Sequence, residues 1–230
     1  TRLVWLEAPG SITLEFPDLR SLVRTIRESA PQAVIAIDNT WGAGIAFCPF
    51  DLGEGLSVDV SAHALTKYPS GGGDVLMGSV SCRDVRLHEK LALAHSRIGF
   101  NVGLNDVEAI LRALPSIGLR YAAHDAATRI IARHCQAQAA VQRVLHPALE
   151  GSPGHAHWAS HCTAAAGLLT LEFKARFTPL QVDAFVDSLS LFRIGYSWGG
   201  PFSLAVPYDL AAMRPTPSNH AGGLVRLNVG

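Results

Sequence analysis

The sequence lacks any uninterrupted apolar stretch of the roughly 18–20 residues that a transmembrane helix requires, so we expect no membrane association. It also lacks an excess of charge, because 19 Lys and Arg side chains balance 19 Asp and Glu side chains and no basic run is present. A neutral chain offers no electrostatic footprint for nucleic acid or for an anionic membrane surface. We therefore expect the partner to be a small molecule or another copy of the chain.

The sequence also has few cysteines, and none of the four forms a Cys-x-x-Cys pair. Their wide spacing argues against a zinc site and a disulfide framework, and it predicts reduced thiols in a cytoplasmic protein. A second metal-binding pattern remains in the histidines His155, His157 and His161, since neutral imidazoles at close spacing suit zinc. This alternative stays open beside the expectation that the chain holds no metal.

The chain has 230 residues, of which 48% are apolar and 17% are charged. This length is enough for one large domain or two modest ones with a sizeable core. The sequence begins at Thr1, next to the strand-like residues 2–7, and ends at Gly230, directly after the strand-like residues 224–229. We therefore expect both ends to lie inside folded elements of a longer subunit.

The first half alternates segments that favour strands with segments that favour helices. Apolar runs predict four strands, at residues 3–6, 33–37, 58–62 and 75–82. Apolar residues at helical spacing predict helices at 18–29, with Asp18 as N-cap, and at 83–94. This β-α-β alternation predicts an α/β fold with a parallel or mixed sheet, whose ligands lie beyond the carboxyl ends of the strands.

The second half has a different pattern, which predicts an α+β unit. Its predicted elements are a helix over 105–144, interrupted at Pro115 and Gly118, a strand at 167–173, a helix at 179–189 and a strand at 224–229. We place the boundary so that residues 1–118 and 119–230 form the two domains. The side chains of Trp5 and Trp158 are predicted to lie in the core.

Two titratable residues follow predicted strands and suggest chemistry. Lys67 lies between a strand end and the glycine-rich turn 71–73, where desolvation would favour a neutral amine that can form a Schiff base. An ordinary exposed lysine is the alternative. Asp38 ends the buried strand at 33–37, where a carboxylate needs a cationic partner such as a protonated pyridine nitrogen. The alternative for Asp38 is a strand-end residue that caps a turn.

Six segments lie in order along nearly all of the chain, at residues 6–13, 37–41, 66–68, 196–200, 213–215 and 224–227. Together they resemble the cysteine/methionine-metabolism family of fold-type I pyridoxal-phosphate (PLP) enzymes. The resemblance implies that residues 1–118 are the carboxyl-terminal part of a PLP-binding large domain, with a mixed, mostly parallel sheet flanked by helices. It implies that residues 119–230 are a small α+β domain without its last helices.

The resemblance implies PLP as cofactor and assigns three residues to it. Lys67 would hold the cofactor covalently and, once released, move protons. Asp38 would pair with the pyridinium nitrogen, and Thr66 would help to hold the phosphate. One departure is Ala64, where many relatives that act at the γ-carbon have a serine that assists in binding the phosphate.

The resemblance also assigns four residues to the substrate. Arg226 would bind its α-carboxylate in a forked, two-bond geometry, with Ser197 and Trp198 lining the same carboxylate site. Trp41 would shape the pocket near the substrate. Without the resemblance, a surface arginine is the alternative for Arg226.

Trp41 and Trp198 favour family members that eliminate at the β-carbon. The implied activity is that of a carbon–sulfur lyase in methionine biosynthesis, which converts L-cystathionine to homocysteine, pyruvate and ammonia in a cytoplasmic homotetramer. The alternatives are a lyase or synthase that acts at the γ-carbon, or a fragment that is inactive by itself.

Overall fold

The computed structural model describes residues 1–213 and 220–230, except for the side chains of residues 211 and 212. Two positions of the 213–215 segment, Arg214 and Pro215, lie outside the described residues. No helix in the described ranges has the length and the hydropathy that crossing a bilayer requires.

The first sheet is mixed and mostly parallel, as the sequence predicts. Its strands are β1 (Leu3–Glu7), β2 (Val34–Asp38), β3 (Val60–Ala64) and β4 (Gly78–Cys82), in that spatial order. The first three are parallel, and β4 runs antiparallel to β3. All four predicted strands exist, with bounds that differ by up to three residues. The carboxyl ends of β1, β2 and β3 therefore meet at one edge, where ligands bind in such sheets.

The helix between β1 and β2 follows from its amphipathic sequence and its cap. In α1 (Leu19–Ser29), the carboxylate of Asp18 accepts a hydrogen bond from the backbone N–H of Ser21 at 3.0 Å, which satisfies one orphan donor of the first turn. Leu19 and Val23, four positions apart, are buried on the same face. Asp18 is thus confirmed as the N-cap.

A series of helices connects this sheet to the second one: α2 (Val85–Ile98), α3 (Leu104–Ala113), a 3₁₀ turn (Leu114–Ser116) and α4 (Ile117–Gln136). Pro115 in the 3₁₀ turn separates α3 from α4, because its ring cannot continue the helical hydrogen bonds. The expectation that helix extends to residue 144 is wrong. The chain turns after Gln136, and the apolar residues beyond the turn form a strand.

The second sheet is mainly antiparallel. Its strands are β5 (Val141–Leu145), β6 (Leu168–Phe173), β7 (Arg193–Ile194), β8 (Leu204–Tyr208) and β9 (Leu224–Asn228), in the spatial order β5-β6-β9-β8-β7. The remaining helices are α5 (His155–His161), α6 (Pro179–Asp187) and α7 (Leu210–Met213). Sequence reasoning missed α5, α7, β7 and β8, which are short or, in β8, interrupted by Pro207, a residue rare in strand interiors.

The core of the first sheet extends beyond residue 118. Tyr121, Trp158 and Leu168 are buried with residues of α1 and β2 in one cluster, so the prediction for Trp158 is confirmed. The prediction for Trp5 is wrong, because 56% of its surface is exposed. Trp5 lies on the edge strand β1, where alternate side chains face away from this core. The proposed domain boundary at 118 stays a prediction.

Candidate active site

A cavity of about 200 Å³ opens at the edge of the first sheet where β1, β2 and β3 end. Four residues that the sequence singled out line it: Asp38, Trp41, Lys67 and Trp198. Its other lining residues are Glu7, Pro9, Ser11, Thr40, Ala64 and Leu168. Residues from both halves of the chain therefore form one concave surface, the usual form of a small-molecule site.

Lys67 lies in the turn after β3, and its amine is held by a loop 130 positions further along the chain. The Nζ atom donates a hydrogen bond to Ser197 Oγ at 3.0 Å and lies 5.0 Å from the centre of the Trp198 ring. Burial, together with the positive charge of Arg226, lowers the pKa of Lys67. A lowered pKa increases the neutral, nucleophilic fraction of the amine near neutral pH.

The Ser197 loop reaches Lys67 because of a glycine. Gly199 adopts a φ of +72°, and a Cβ at this position would lie 3.1 Å from the Lys67 Cβ and 3.2 Å from the Tyr68 nitrogen. A side chain would therefore be strained by its backbone conformation and crowded against the lysine turn. The glycine permits the close approach that places Ser197 and Trp198 beside the amine.

Asp38 ends β2, where it caps a turn and lines the cavity, and its pairing with a pyridinium nitrogen stays a prediction. One carboxylate oxygen accepts a hydrogen bond from the Thr40 N–H at 2.9 Å, which caps the turn, and the side chain also lines the cavity. The half-buried His63 lies close enough to respond to its charge. Burial lowers the pKa of His63, and the negative charge of Asp38 opposes that shift.

Trp41 closes the cavity wall three residues after Asp38. It is 4% exposed, and its indole nitrogen is buried without a hydrogen-bond partner among the described residues. A buried N–H without a partner is costly. The hydroxyl of Tyr121 on α4 donates to the Trp41 carbonyl oxygen at 2.9 Å and fixes this part of the wall.

Arg226 is almost completely buried in β9, behind the loop that contains Ser197. Its guanidinium donates hydrogen bonds to the carbonyl oxygens of Ser11, at 2.9 Å, and Tyr196, and its Cζ lies 5.3 Å from the centre of the Tyr208 ring. Arg226 does not line the cavity itself, but its partner Ser11 does, and its partner Tyr196 directly precedes Ser197. It therefore joins the segment after β1 to the loop that holds the Lys67 amine.

The hydroxyl of Thr66 faces the backbone of a neighbouring segment. It accepts a hydrogen bond from the Met77 N–H at 3.2 Å and lies 3.4 Å from the Met77 carbonyl oxygen. Thr66 does not line the cavity. Its phosphate-binding role stays a prediction.

The three histidines that suggested a metal site lie on α5. His155 lies within hydrogen-bond distance of the Pro147 carbonyl oxygen, at 2.9 Å, and stacks on Trp158. In the residues with described positions, no group of three His, Cys, Asp or Glu side chains is arranged to hold a metal ion.

Sequence reasoning missed the residues that support this site from a distance. Glu7 is the last residue of β1 and pairs with Asp38 in the strand register, and parallel pairing could have indicated that both side chains reach the same edge. Arg120 donates to the Tyr68 carbonyl oxygen at 2.6 Å, beside the lysine turn. Nothing local in the sequence marks Arg120 or Tyr121, because their partners are 52 and 80 positions away.

Comparison with known proteins identifies the family of this chain. The family described as Cys/Met metabolism PLP-dependent enzyme matches residues 1–230. Cystathionine β-lyase of Salmonella typhimurium is 37% identical over 234 residues, and that of Escherichia coli is 36% identical; each alignment covers 100% of this chain and 58% of the relative. This chain thus spans less than two thirds of their length.

A solved structure gives the same result for the fold. Cystathionine γ-synthase of Xanthomonas oryzae pv. oryzae, in complex with cystathionine, superposes with a TM-score of 0.88 at 30% identity, covering 100% of this chain and 59% of the other. This agreement extends over both sheets. The chain belongs to the Cys/Met-metabolism family of PLP-dependent enzymes and has the fold-type I architecture of that family.

Proposed function

We propose that this chain forms part of a PLP-dependent carbon–sulfur lyase that cleaves L-cystathionine at its β-carbon to homocysteine, pyruvate and ammonia. The observation that carries the proposal is the joint placement of Lys67 and Asp38 in one cavity, with the lysine amine held at Ser197. The relatives named cystathionine β-lyase at 37% and 36% identity support the choice of reaction.

The residues of the cavity fit PLP. Its aldehyde requires an amine that is neutral part of the time, which Lys67 supplies through its lowered pKa. Its ring nitrogen requires a carboxylate, which Asp38 supplies. When bound, PLP supplies an electron-withdrawing ring that stabilises the charge left when a proton leaves the substrate Cα.

We assign the proton transfers, the orientation of the reacting groups and the exclusion of water to residues of the chain. Lys67 would hold the cofactor, and its free amine would take the proton from the substrate Cα. Asp38 keeps the proton on the ring nitrogen. Ser197 orients the lysine amine through the bond of 3.0 Å, and Thr66 contributes to holding the phosphate. Trp41 and Trp198 exclude water from the reacting carbon, which strengthens electrostatic interactions there.

Arg226 binds the substrate α-carboxylate in this proposal, with Ser197 and Trp198 beside it. Two of its N–H groups are already bonded to the carbonyl oxygens of Ser11 and Tyr196. Its other N–H groups supply the forked pair of donors that a carboxylate accepts and that a lysine could not reproduce. Buried as it is, the guanidinium would gain an anionic partner on binding substrate.

A second candidate function is cleavage or exchange at the γ-carbon. The similarity to cystathionine γ-synthase at a TM-score of 0.88 favours it, because the same fold carries both reactions in this family. The two tryptophans at positions 41 and 198 favour the β-carbon reaction.

We further propose that the protein acts as a homo-oligomer, a tetramer as in the family. Several large apolar side chains at the ends of α2 and α3 are exposed, among them Ile98 (62%), Phe100 (62%) and Leu104 (86%), which supports an additional contact surface. The free cysteines support a reducing, cytoplasmic location. Light scattering during size-exclusion chromatography tests the oligomer, and a monomer at micromolar concentration would contradict it.

Product analysis tests the reaction. The protein that carries this chain, supplied with PLP and L-cystathionine, should release homocysteine and pyruvate in equal amounts. Cysteine and 2-oxobutyrate would instead identify a γ-lyase. Absence of both product pairs, or of bound PLP, would refute the proposal and favour a fragment that is inactive by itself.

The lysine assignment has its own test. The chain has three lysines, Lys67, Lys90 and Lys174. Borohydride reduction followed by peptide mass spectrometry should find the cofactor on Lys67 and on neither of the others. Lys67→Ala should abolish both labelling and turnover, whereas Lys90→Ala, at an exposed position of α2, should change neither. Label on another lysine would refute the assignment.

A further inference from the structure

Strand register brings an aromatic ring across the guanidinium of Arg226. In the antiparallel pair of β8 and β9, Val206 lies opposite Arg226 and Tyr208 lies opposite Leu224. Tyr208 and Arg226 are therefore diagonal neighbours on the same face of the sheet, within reach of long side chains. The Arg226 Cζ lies 5.3 Å from the centre of the Tyr208 ring, a distance at which the ring attracts a cation.

The same ring also contacts the residue to which Arg226 is bonded. Tyr208 packs edge-to-face on Tyr196, with ring centres 6.4 Å apart, and the Tyr196 carbonyl oxygen accepts from Arg226. Tyr196 precedes Ser197, the partner of the Lys67 amine. Tyr208 thus contacts both residues of the Arg226–Tyr196 hydrogen bond.

The guanidinium is therefore restrained from three directions. Carbonyl oxygens of Ser11 and Tyr196 accept hydrogen bonds from two of its nitrogens, and its Cζ lies over the Tyr208 ring. Burial raises the pKa of Tyr208, against the opposing effect of the Arg226 charge, so the phenol stays neutral and acts by its ring rather than as an anion.

We propose that Tyr208 is a positioning residue that fixes the plane of the Arg226 guanidinium, so that its remaining N–H groups meet the α-carboxylate of an amino-acid substrate. This inference rests on the proposed function, in which Arg226 binds that carboxylate. The ring face is the feature that matters, and the phenol hydroxyl is dispensable. A planar guanidinium gains from both stacking and fixed hydrogen-bond geometry, which makes its orientation sensitive to the loss of the ring.

Steady-state kinetics of Tyr208→Leu and Tyr208→Phe test the proposal. Loss of a partly buried cation–π contact predicts a KM for cystathionine that rises about 10-fold in Tyr208→Leu, with kcat within about threefold. Tyr208→Phe keeps the ring, so its KM should stay within about twofold of the wild-type value. The matched control is Phe202→Leu, which removes a similar ring 5.6 Å from the Cζ of the exposed Arg193 and should leave KM unchanged.

The reactivity of Arg226 toward phenylglyoxal, followed by peptide mass spectrometry, gives a readout that needs no turnover. Modification of Arg226 should be slow in the wild type and Tyr208→Phe, and about 10-fold faster in Tyr208→Leu, in proportion to the lost contact. Tyr208→Met replaces the leucine variant if thermal unfolding shows that the latter does not fold.

Two results would overturn the inference: an unchanged KM and Arg226 reactivity in Tyr208→Leu, or equal impairment in Tyr208→Phe and Tyr208→Leu. If the wild-type protein has no lyase activity, the proposed function fails. The modification rates alone then decide whether Tyr208 holds Arg226.

Discussion

Tyr121 offers a direct test of how α4 supports the cavity wall. Its side chain is fully buried, its hydroxyl donates to the Trp41 carbonyl oxygen at 2.9 Å, and its ring meets the Tyr68 ring at a centre distance of 4.9 Å. Tyr121→Phe keeps the ring contact and removes the hydroxyl. The Trp41 carbonyl oxygen would then lose a buried donor, a loss that costs about 1–3 kcal/mol.

The magnitude converts into a measurable shift. A loss of about 2 kcal/mol lowers Tm by about 4–8 °C in a chain of this size. Urea unfolding should give a lower midpoint with an unchanged slope, because the surface exposed on unfolding is the same. Tyr196→Phe is the matched control, since Tyr196 is 75% exposed, and it should change the free energy of unfolding by less than about 0.5 kcal/mol. Equal stabilities of Tyr121→Phe and wild type would refute this reasoning.

Three further predictions concern titration and backbone conformation. In protein freed of PLP, competitive acetylation should show Lys67 titrating below the ordinary lysine value of 10.5, because burial and the nearby guanidinium lower its pKa, and Arg226→Gln should raise the midpoint. Gly154→Ala should lower the free energy of unfolding by about 3 kcal/mol or more, because the added Cβ would lie 1.9 Å from a carbonyl oxygen. In the control Gly151→Ala the added Cβ meets nothing within 4 Å, so the free energy of unfolding should fall by only about 1–2 kcal/mol, owing to the positive φ. Equal losses in the two variants would contradict this prediction. Burial lowers the pKa of His146 to about 4. Between pH 6.5 and pH 4 only the unfolded chain takes up the proton, so the free energy of unfolding should fall as the pH is lowered over this range. His146→Asn should reduce this dependence of the free energy of unfolding on pH.

Much of the fold follows from local patterns in the sequence. The buried apolar run of β2 and the Asp18 cap with its amphipathic helix are short-range features, so the first sheet could be predicted strand by strand. The end of α4 could not be placed, because apolar residues at 141–145 suit either a helix or a strand and only pairing with β6 decides between them. The exposure of Trp5 was missed for the same reason, since the position of β1 at the sheet edge is a tertiary property.

The sequence by itself determined that Asp38 and Lys67 follow strands, and chain connectivity then directs both to the same edge of a parallel sheet. Only the tertiary structure decided that Ser197, 130 positions away, reaches the lysine amine, and that Tyr208 lies across Arg226. The physical reason is that side-chain periodicity is encoded over a few residues, whereas register and loop approach depend on pairing between distant strands. A shift of one residue in the β8–β9 register would turn Tyr208 to the opposite face of the sheet, although every local pattern would remain the same.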